Sequence, residues 1–316
     1  MHAPAVPVAA ASPATDPLPP LPPVHCLGLA LPRMPQRRCA PRLFRMEQLG
    51  LPPAFLDVLA AQADSLPWDT WDVARRRRQM LERYRSILDG GQRRLLDACA
   101  GDATDPSWTA LLAALPCVLR EALLRIRPHR RRSLRKYRLR RQATRCWQLQ
   151  PLADTRFEQP AVAGRTAVRH FAAIPTALTY HPDMLRFVAG IAETIHAQCG
   201  ATALEMAVHQ MLTLADGDTA TDPAPEGLHQ DGADYIVSAL VVRRRGIQGG
   251  LSRVRRGSAG AVLLEHALEE GEGIFQPDAG SPLWHEVSPI RATTAGQSGQ
   301  RMILGIDAHV LADAPA

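Results

Sequence analysis

The stretch ALEMAVHQMLTLA at residues 203–215 is the first of several short segments that decide the fold. Apolar residues alternate with others along parts of it, and turn-forming Asp and Gly follow it, which is typical of a β-strand. Similar segments follow at 234–243, 261–266, 282–287 and 301–309. Short strands at this spacing predict a β-sandwich or β-barrel in the second half of the chain.

The segment before these strands has the period of a helix. Between Pro182 and Cys199 apolar residues recur every three or four positions, and Gly200 follows as a stop signal. Helical spacing also predicts helices at 53–66, 70–88 and 107–126, the last one broken near a proline. The sequence therefore predicts an α+β protein in which N-terminal helices pack on an antiparallel β-core.

The chain divides into three parts by composition. Residues 1–42 are rich in Pro and Ala without a sustained period, which predicts a disordered extension. A helical lead-in is expected at 43–129 and the β-domain at 130–316. The first residues lack the basic region of a secretory signal, and no stretch approaches about 18 uninterrupted apolar residues. With six scattered cysteines and no CxxC pair, these features predict a cytoplasmic protein without a membrane span.

The chain is basic, and one of its regions is especially rich in positive charge. The formal net charge is +6, which permits an anionic partner but does not by itself indicate nucleic-acid binding. The region 130–150 is dense in arginine, and Arg135, Tyr137 and Leu139 would share one face of a strand there. An edge strand with a charged outer face is one interpretation, and an anion-facing surface is the other. Since charge runs are usually solvated, the first interpretation is favoured.

Two histidines and one aspartate have the spacing of a metal site. His229 and Asp231 lie two positions apart in EGLHQDG at 226–232, so their side chains point the same way if the segment is extended. His285, in the predicted strand 282–287, would bring a second imidazole. Two imidazoles and one carboxylate on one face of a metal leave three positions open, as in non-haem Fe(II) oxygenases.

An oxygenase that uses 2-oxoglutarate also needs a cation for the distal carboxylate of this cosubstrate. Arginine suits the role because its guanidinium is a bidentate fork. Arg301 opens the last predicted strand, whereas Arg291 follows Pro289 in what the sequence predicts to be a turn. The positions therefore favour Arg301 over Arg291.

Several separate blocks of the sequence resemble the bacterial 2-oxoglutarate- and Fe(II)-dependent dioxygenases that include L-isoleucine 4-hydroxylase. In chain order the blocks are EMAVHQ at 205–210, PEGLHQDGADY at 225–235, GGLSRV at 249–254, LWHEVSPI at 283–290 and RMIL at 301–304. The resemblance implies a double-stranded β-helix, the jelly-roll or cupin-like fold. It also implies iron ligands at His229, Asp231 and His285, and a 2-oxoglutarate anchor at Arg301.

Further expectations about the site come from the same resemblance. His209 and Gln210 become candidates for contact with the cosubstrate or the substrate. The cofactors would be Fe(II), 2-oxoglutarate and O2, with ascorbate as an aid in vitro. Some members of the family hydroxylate free aliphatic amino acids, which predicts an amino acid or related small metabolite as substrate and succinate and CO2 as products. The chain differs from the family pattern at Gln230, Leu251 and 278–282, so isoleucine itself is not implied.

Two alternatives remain open at this point. The run from Arg130 to Arg145 motivates a dioxygenase that acts on a protein, carrier-tethered or nucleic-acid substrate. A jelly-roll binding module with a degenerate metal site would be a non-catalytic reading, because a fold alone does not fix a function. The sequence leaves the oligomeric state open.

Overall fold

The computed structural model describes residues 18–19, 21–25, 30–31, 39–99, 101–142, 146–159, 167–216, 220–294 and 296–312. These residues form two compact units, one at 69–128 and the other at 18–68 together with 129–312. The predicted disordered extension, 1–42, lies largely outside the described residues, and its boundary and the boundary at 129 stay predictions. Where that segment is described, Leu21 and Leu31 are buried.

Helices lie in each of the four segments that the sequence predicted to be helical, and two further helices, Gly90–Ala98 and Thr176–Thr179, were not predicted. In chain order the helices are α1 Ala54–Ala60, α2 Thr70–Arg83, α3 Gly90–Ala98, α4 Pro106–Ala114, α5 Cys117–Leu124, α6 Thr176–Thr179 and α7 Pro182–Cys199, with 3-10 turns at Met46–Leu49 and Arg85–Ile87. Asp69, Asp89 and Asp105 cap α2, α3 and α4 by accepting backbone N–H bonds. The smaller unit, with helices α2 to α5, has its own apolar core, which includes Leu81, Leu96, Trp108 and Leu111.

The strands belong to the larger unit. In chain order they are β1 Val24–His25, β2 Arg42–Arg45, β3 Arg130–Arg141, β4 Cys146–Leu152, β5 Arg156–Gln159, β6 Ala167–His170, β7 Ala172–Ala173, β8 Ala203–Asp216, β9 Tyr235–Arg245, β10 Ile247–Gly249, β11 Ser252–Arg256, β12 Val262–His266, β13 Glu272–Pro277, β14 Leu283–Val287, β15 Ile290–Ala292 and β16 Ser298–Val310. The five strands predicted after residue 200 correspond to β8, β9, β12, β14 and β16.

A large sheet runs in the order β1-β4-β3-β8-β16-β9-β13-β2, with β7 beside β3. Its central pairings, β3 with β8 and β8 with β16, are antiparallel over 11 and 13 residue pairs. The interpretation of region 130–150 as an edge strand is therefore wrong, because β3 lies between β4 and β8. Partners distant in the sequence supply the hydrogen bonds that an edge strand would leave to solvent.

The two faces of the large sheet are covered differently. Phe187, Ile191 and Ile195 of α7 share an apolar core with the sheet. On the opposite face, a second core joins residues of β9, β13 and β16 to Val254 of β11 and Leu283 of β14. Strands β12, β11 and β14 form a small sheet of their own. This arrangement confirms the predicted α+β fold with a jelly-roll core and packed helices.

Strands β10 and β15 form a two-stranded antiparallel pair, in which Gly249 at the end of β10 lies opposite Ile290. Gly249 has φ +84°, and a Cβ there would lie 2.1 Å from the carbonyl oxygen of Pro289. Only glycine fits such an approach without displacing the backbone. Within the described residues, no helix is both long and apolar enough to cross a membrane.

Candidate metal and cosubstrate site

His229 and His285 meet across one rung of antiparallel pairing. Each donates its backbone N–H to the carbonyl oxygen of the other, at 3.0 Å in both directions. Their Nε2 atoms lie 3.2 and 3.3 Å from the two carboxylate oxygens of Asp231. One donor atom from each of the three residues lies within 4.8 Å of the others. The residues that the sequence singled out are thus adjacent, and they could hold a metal ion.

A hydrogen bond orients the ring of His229, and neighbouring charges shift the pKa values of His229 and Asp231. Nδ1 of His229 lies 2.8 Å from the carbonyl oxygen of Gly227 and donates to it, which leaves Nε2 facing Asp231. Burial alone would lower the pKa of His229, but the bond to Asp231 and its charge raise that pKa to about 9. Burial would raise the pKa of Asp231, but His285 and His229 hold it well below its usual range. A divalent cation bound here would compete with the proton on His229.

Asp278 supports the cluster from behind. Its side chain is fully buried, and Oδ2 accepts a 2.8 Å hydrogen bond from the backbone N–H of Gly232. Oδ1 lies 3.8 Å from Nδ1 of His285. Burial and the charge of Asp231 raise the pKa of Asp278 to about 6. One carboxylate therefore faces both segments that carry the candidate ligands.

Gln230, one of the positions at which the chain differs from the family pattern, has a structural role. Its Nε2 lies 2.8, 3.0 and 2.8 Å from the carbonyl oxygens of Asp278, Ser281 and Leu283. The side chain thereby ties the His229–Asp231 loop to the segment that precedes His285. This contact fixes the separation of the candidate ligands without reaching the cavity.

The candidate ligands open into a cavity between the large sheet and the small β12-β11-β14 sheet. Arg301 of β16 lines this cavity and is only 4% exposed. Burial, together with the charge of Arg244, lowers the pKa of Arg301 to about 10. Among the described residues, its Nε has no hydrogen-bond partner and no carboxylate forms an ion pair with it. A buried guanidinium of this kind is suited to an anionic ligand.

The alternative anchor, Arg291, is exposed on β15 and does not line the cavity. Arg301, and not Arg291, therefore lines the same cavity as the candidate metal ligands.

His209 of β8 is buried in the cavity wall. Its Nε2 lies 2.9 Å from Oδ2 of Asp307, its Nδ1 lies 2.8 Å from Nη2 of Arg132, and its ring meets that of Phe157 edge-on. Burial and the neighbouring charge of Arg132 lower the pKa of His209, so the ring is neutral near pH 7.

Gln210, the neighbour of His209, lies on the opposite face of β8, as the two-residue period of a strand requires. It is fully buried, where Oε1 accepts from Ser133 and Nε2 donates to the carbonyl oxygen of Leu59. Gln210 is not among the residues that line the cavity.

Three polar residues near the site escaped sequence reasoning: Arg132, Asp278 and Asp307. Asp307 could have been found, because positions 301, 303, 305 and 307 of one strand share a face, and all four line the cavity. Arg132 was hidden within the arginine run. Asp278 falls in a Gly- and Pro-containing segment without a readable period.

Residues 121–307, more than half of the chain, match the family model described as 2OG-Fe dioxygenase. The chain belongs to the 2OG-Fe dioxygenase family. It is therefore an iron- and 2-oxoglutarate-dependent dioxygenase that uses O2, and the non-catalytic reading is set aside. A comparison with curated proteins finds no match.

Solved structures agree with the dioxygenase fold. A bsmA homolog from Methylobium petroleophilum PM1 is similar with a TM-score of 0.61 at 16% identity, over 89% of this chain and 92% of that one. The structure of IDO from Bacillus thuringiensis is similar with a TM-score of 0.50 at 17% identity, over 58% of this chain and 79% of that one. At such identities the likeness concerns the fold alone.

Proposed function

We propose that His229, Asp231 and His285 hold Fe(II) in this dioxygenase. The proposal is supported by the close approach of their donor atoms and by the bond from His229 to Gly227, which turns Nε2 toward Asp231. Two imidazoles and one carboxylate suit Fe(II) and leave positions open for other ligands. When bound, Fe(II) supplies the sites at which a 2-oxo acid and O2 react to oxidise the substrate, with release of succinate and CO2.

Arg301 is the proposed anchor for the distal carboxylate of 2-oxoglutarate. The observation that carries the whole proposal is the position of this buried cation in the same cavity as the three candidate ligands. The cosubstrate would bring the negative charge that the guanidinium otherwise lacks. His209 contributes to the cavity wall, whereas Gln210 supports the sheet from its other face.

The primary substrate is proposed to be a free amino acid or a related small metabolite, which is hydroxylated. The blocks resembling the group that includes L-isoleucine 4-hydroxylase support this choice. The cavity also carries charges of both signs. Arg130 and Arg132 of β3 are positive, and Glu226 and Asp307 are negative. Walls of this kind suit a small zwitterion.

The arginine run gives less support to a macromolecular substrate. Arg135 donates to Thr179 and to two backbone carbonyl oxygens inside the unit. Arg141 forms a two-point bond with Glu193, and Arg138 pairs with Glu205. These three arginines are therefore engaged in internal contacts, which leaves less positive charge for a phosphate backbone.

The proposed function is tested by oxygen-dependent succinate formation from 2-oxoglutarate and Fe(II), with and without pools of free amino acids. Ascorbate is added, and its benefit stays a prediction. Stimulation by one pool is the expected result and begins the identification of the substrate. Turnover that no amino acid stimulates would contradict the substrate class, and protein that binds no iron would contradict the ligand assignment.

A further inference from the structure

Arg132 of β3 lines the same cavity as the candidate metal ligands. Its Nη2 lies 2.8 Å from Nδ1 of His209. The centre of its guanidinium lies 4.3 Å from the ring centroid of Phe171 and 5.3 Å from that of Phe157. These contacts hold the guanidinium in a fixed direction.

The hydrogen bonds of His209 have only one consistent direction. Because arginine can only donate, Nδ1 of His209 accepts from Arg132, and the ring carries its proton on Nε2. Nε2 then donates to Oδ2 of Asp307 across 2.9 Å. The neutral ring thus links Arg132 to Asp307 of β16 without adding a charge of its own.

Arg132 and Arg301 lie at separate positions of the cavity wall. Arg132 is paired with Met211 on β8, and Met211 is paired with Ile303 on β16. Two strand spacings, about 10 Å, therefore separate the strand of Arg132 from the strand of Arg301. Two other arginines line the cavity: the charge of Arg130 acts on Glu226, and Arg253 pairs with Glu265. Arg132 is therefore a cation separate from Arg301 that could take a second acid besides 2-oxoglutarate.

We propose that Arg132 binds the free carboxylate of the primary substrate, so that the enzyme acts on free acids and not on acids tethered to a carrier through that group. This inference rests on the proposed function, because it takes Arg301 as the anchor of 2-oxoglutarate. An amide or thioester removes the negative charge and leaves one carbonyl oxygen in place of two carboxylate oxygens. The two-point contact with a guanidinium is then lost.

The test compares free L-isoleucine, L-leucine, L-valine and L-methionine with their primary carboxamides. Each compound is titrated by calorimetry, without oxygen, into protein that holds Fe(II) and 2-oxoglutarate, and is then assayed for stimulated succinate formation. We expect at least one acid to bind, and its amide to bind roughly 10- to 100-fold more weakly. In Arg132→Gln this preference should fall to about threefold or less, while the KM for 2-oxoglutarate stays within about threefold of the parent value.

Two further variants keep the result interpretable. Arg138→Gln makes the same change on the same strand, at a side chain that is 48% exposed and paired with Glu205, and it should retain the parental preference. Arg132→Lys keeps the charge but loses the planar fork, so its preference for the acid should be intermediate. It serves as the test variant if Arg132→Gln does not fold, as judged by thermal unfolding.

The outcomes separate this proposal from the proposed function. Equal binding of acid and amide by the parent would overturn the role of Arg132 and leave an amino-acid hydroxylase. A parental preference that survives in both Arg132 variants would assign the carboxylate to another cation, and would also overturn it. If no acid binds or stimulates turnover, the amino-acid function itself fails, and the role of Arg132 falls with it.

Discussion

Replacing Arg301 with methionine should stabilise the free protein while it weakens the binding of 2-oxoglutarate. Burial lowers the pKa of this guanidinium from 12.5 to about 10. Since one pKa unit corresponds to about 1.4 kcal/mol, the buried charge costs the folded state about 3 kcal/mol. The folded pKa lies below the unfolded one, so this cost is present at every pH below about 10 and disappears only as the pH rises from there toward 12.5.

Methionine removes the charge and fills much of the same space. The free energy of unfolding should therefore rise by up to about 3 kcal/mol. The packing energy that is lost with the longer aliphatic part of the arginine side chain reduces this gain. Binding should change in the opposite direction, because the distal carboxylate of the cosubstrate would be buried without its partner. We expect the KM for 2-oxoglutarate to rise roughly 30- to 1000-fold, equivalent to about 2–4 kcal/mol.

Thermal unfolding without ligands and succinate formation across a range of 2-oxoglutarate concentrations measure the two effects. Arg291→Met is the matched control, since Arg291 is exposed on β15, and it should change neither quantity appreciably. An unchanged KM in the Arg301 variant would refute the assignment of the anchor. A raised KM in the Arg291 variant alone would move the anchor to that residue.

Three more variants test the surroundings of the site. Asp278→Asn should lower the affinity for Fe(II) about 10- to 100-fold in a chelator competition, because the amide removes the negative charge that lies 3.8 Å from Nδ1 of His285. Asp231→Ala should abolish coupled turnover and the rise in melting temperature that Fe(II) gives the parent, as it removes the only carboxylate among the three proposed ligands; retention of either effect would count against that assignment. Gly249→Ala should cost about 1–3 kcal/mol in urea unfolding, because the new Cβ meets the carbonyl oxygen of Pro289, and an unchanged midpoint would contradict this reasoning.

The parts of the fold that could be predicted depend on local periodicity. The apolar repeat of α7 gave both of its ends, Pro182 and Cys199, because the repeat and its glycine stop are properties of one segment. The alternation in 203–215 likewise predicted β8 to within one residue. The spacing of His229 and Asp231 is also local, which explains why it was readable.

The features that could not be predicted depend on partners distant in the sequence. The charges of β3 resembled those of an edge strand, but Leu152, Thr179 and Glu193 supply their partners from elsewhere in the chain. Strand β13, at 272–277, has no clear alternation, because it is covered on both faces. The links from Asp278 to Gly232 and from Arg132 to His209 arise only when separate segments pack together, and no single stretch encodes them.

The position of β16 also bears on how the protein acquires its native structure. This strand follows all the other strands in the sequence, yet it lies between β8 and β9 and pairs with both. During synthesis the two halves of the large sheet cannot be joined until β16 has been made. Contacts between residues so far apart in the sequence also slow folding. Arg301 and Asp307 arrive with this strand, so the capacity to bind an acid in the cavity would appear only when the sheet closes. Binding of 2-oxoglutarate could then serve as a probe of the final folding step.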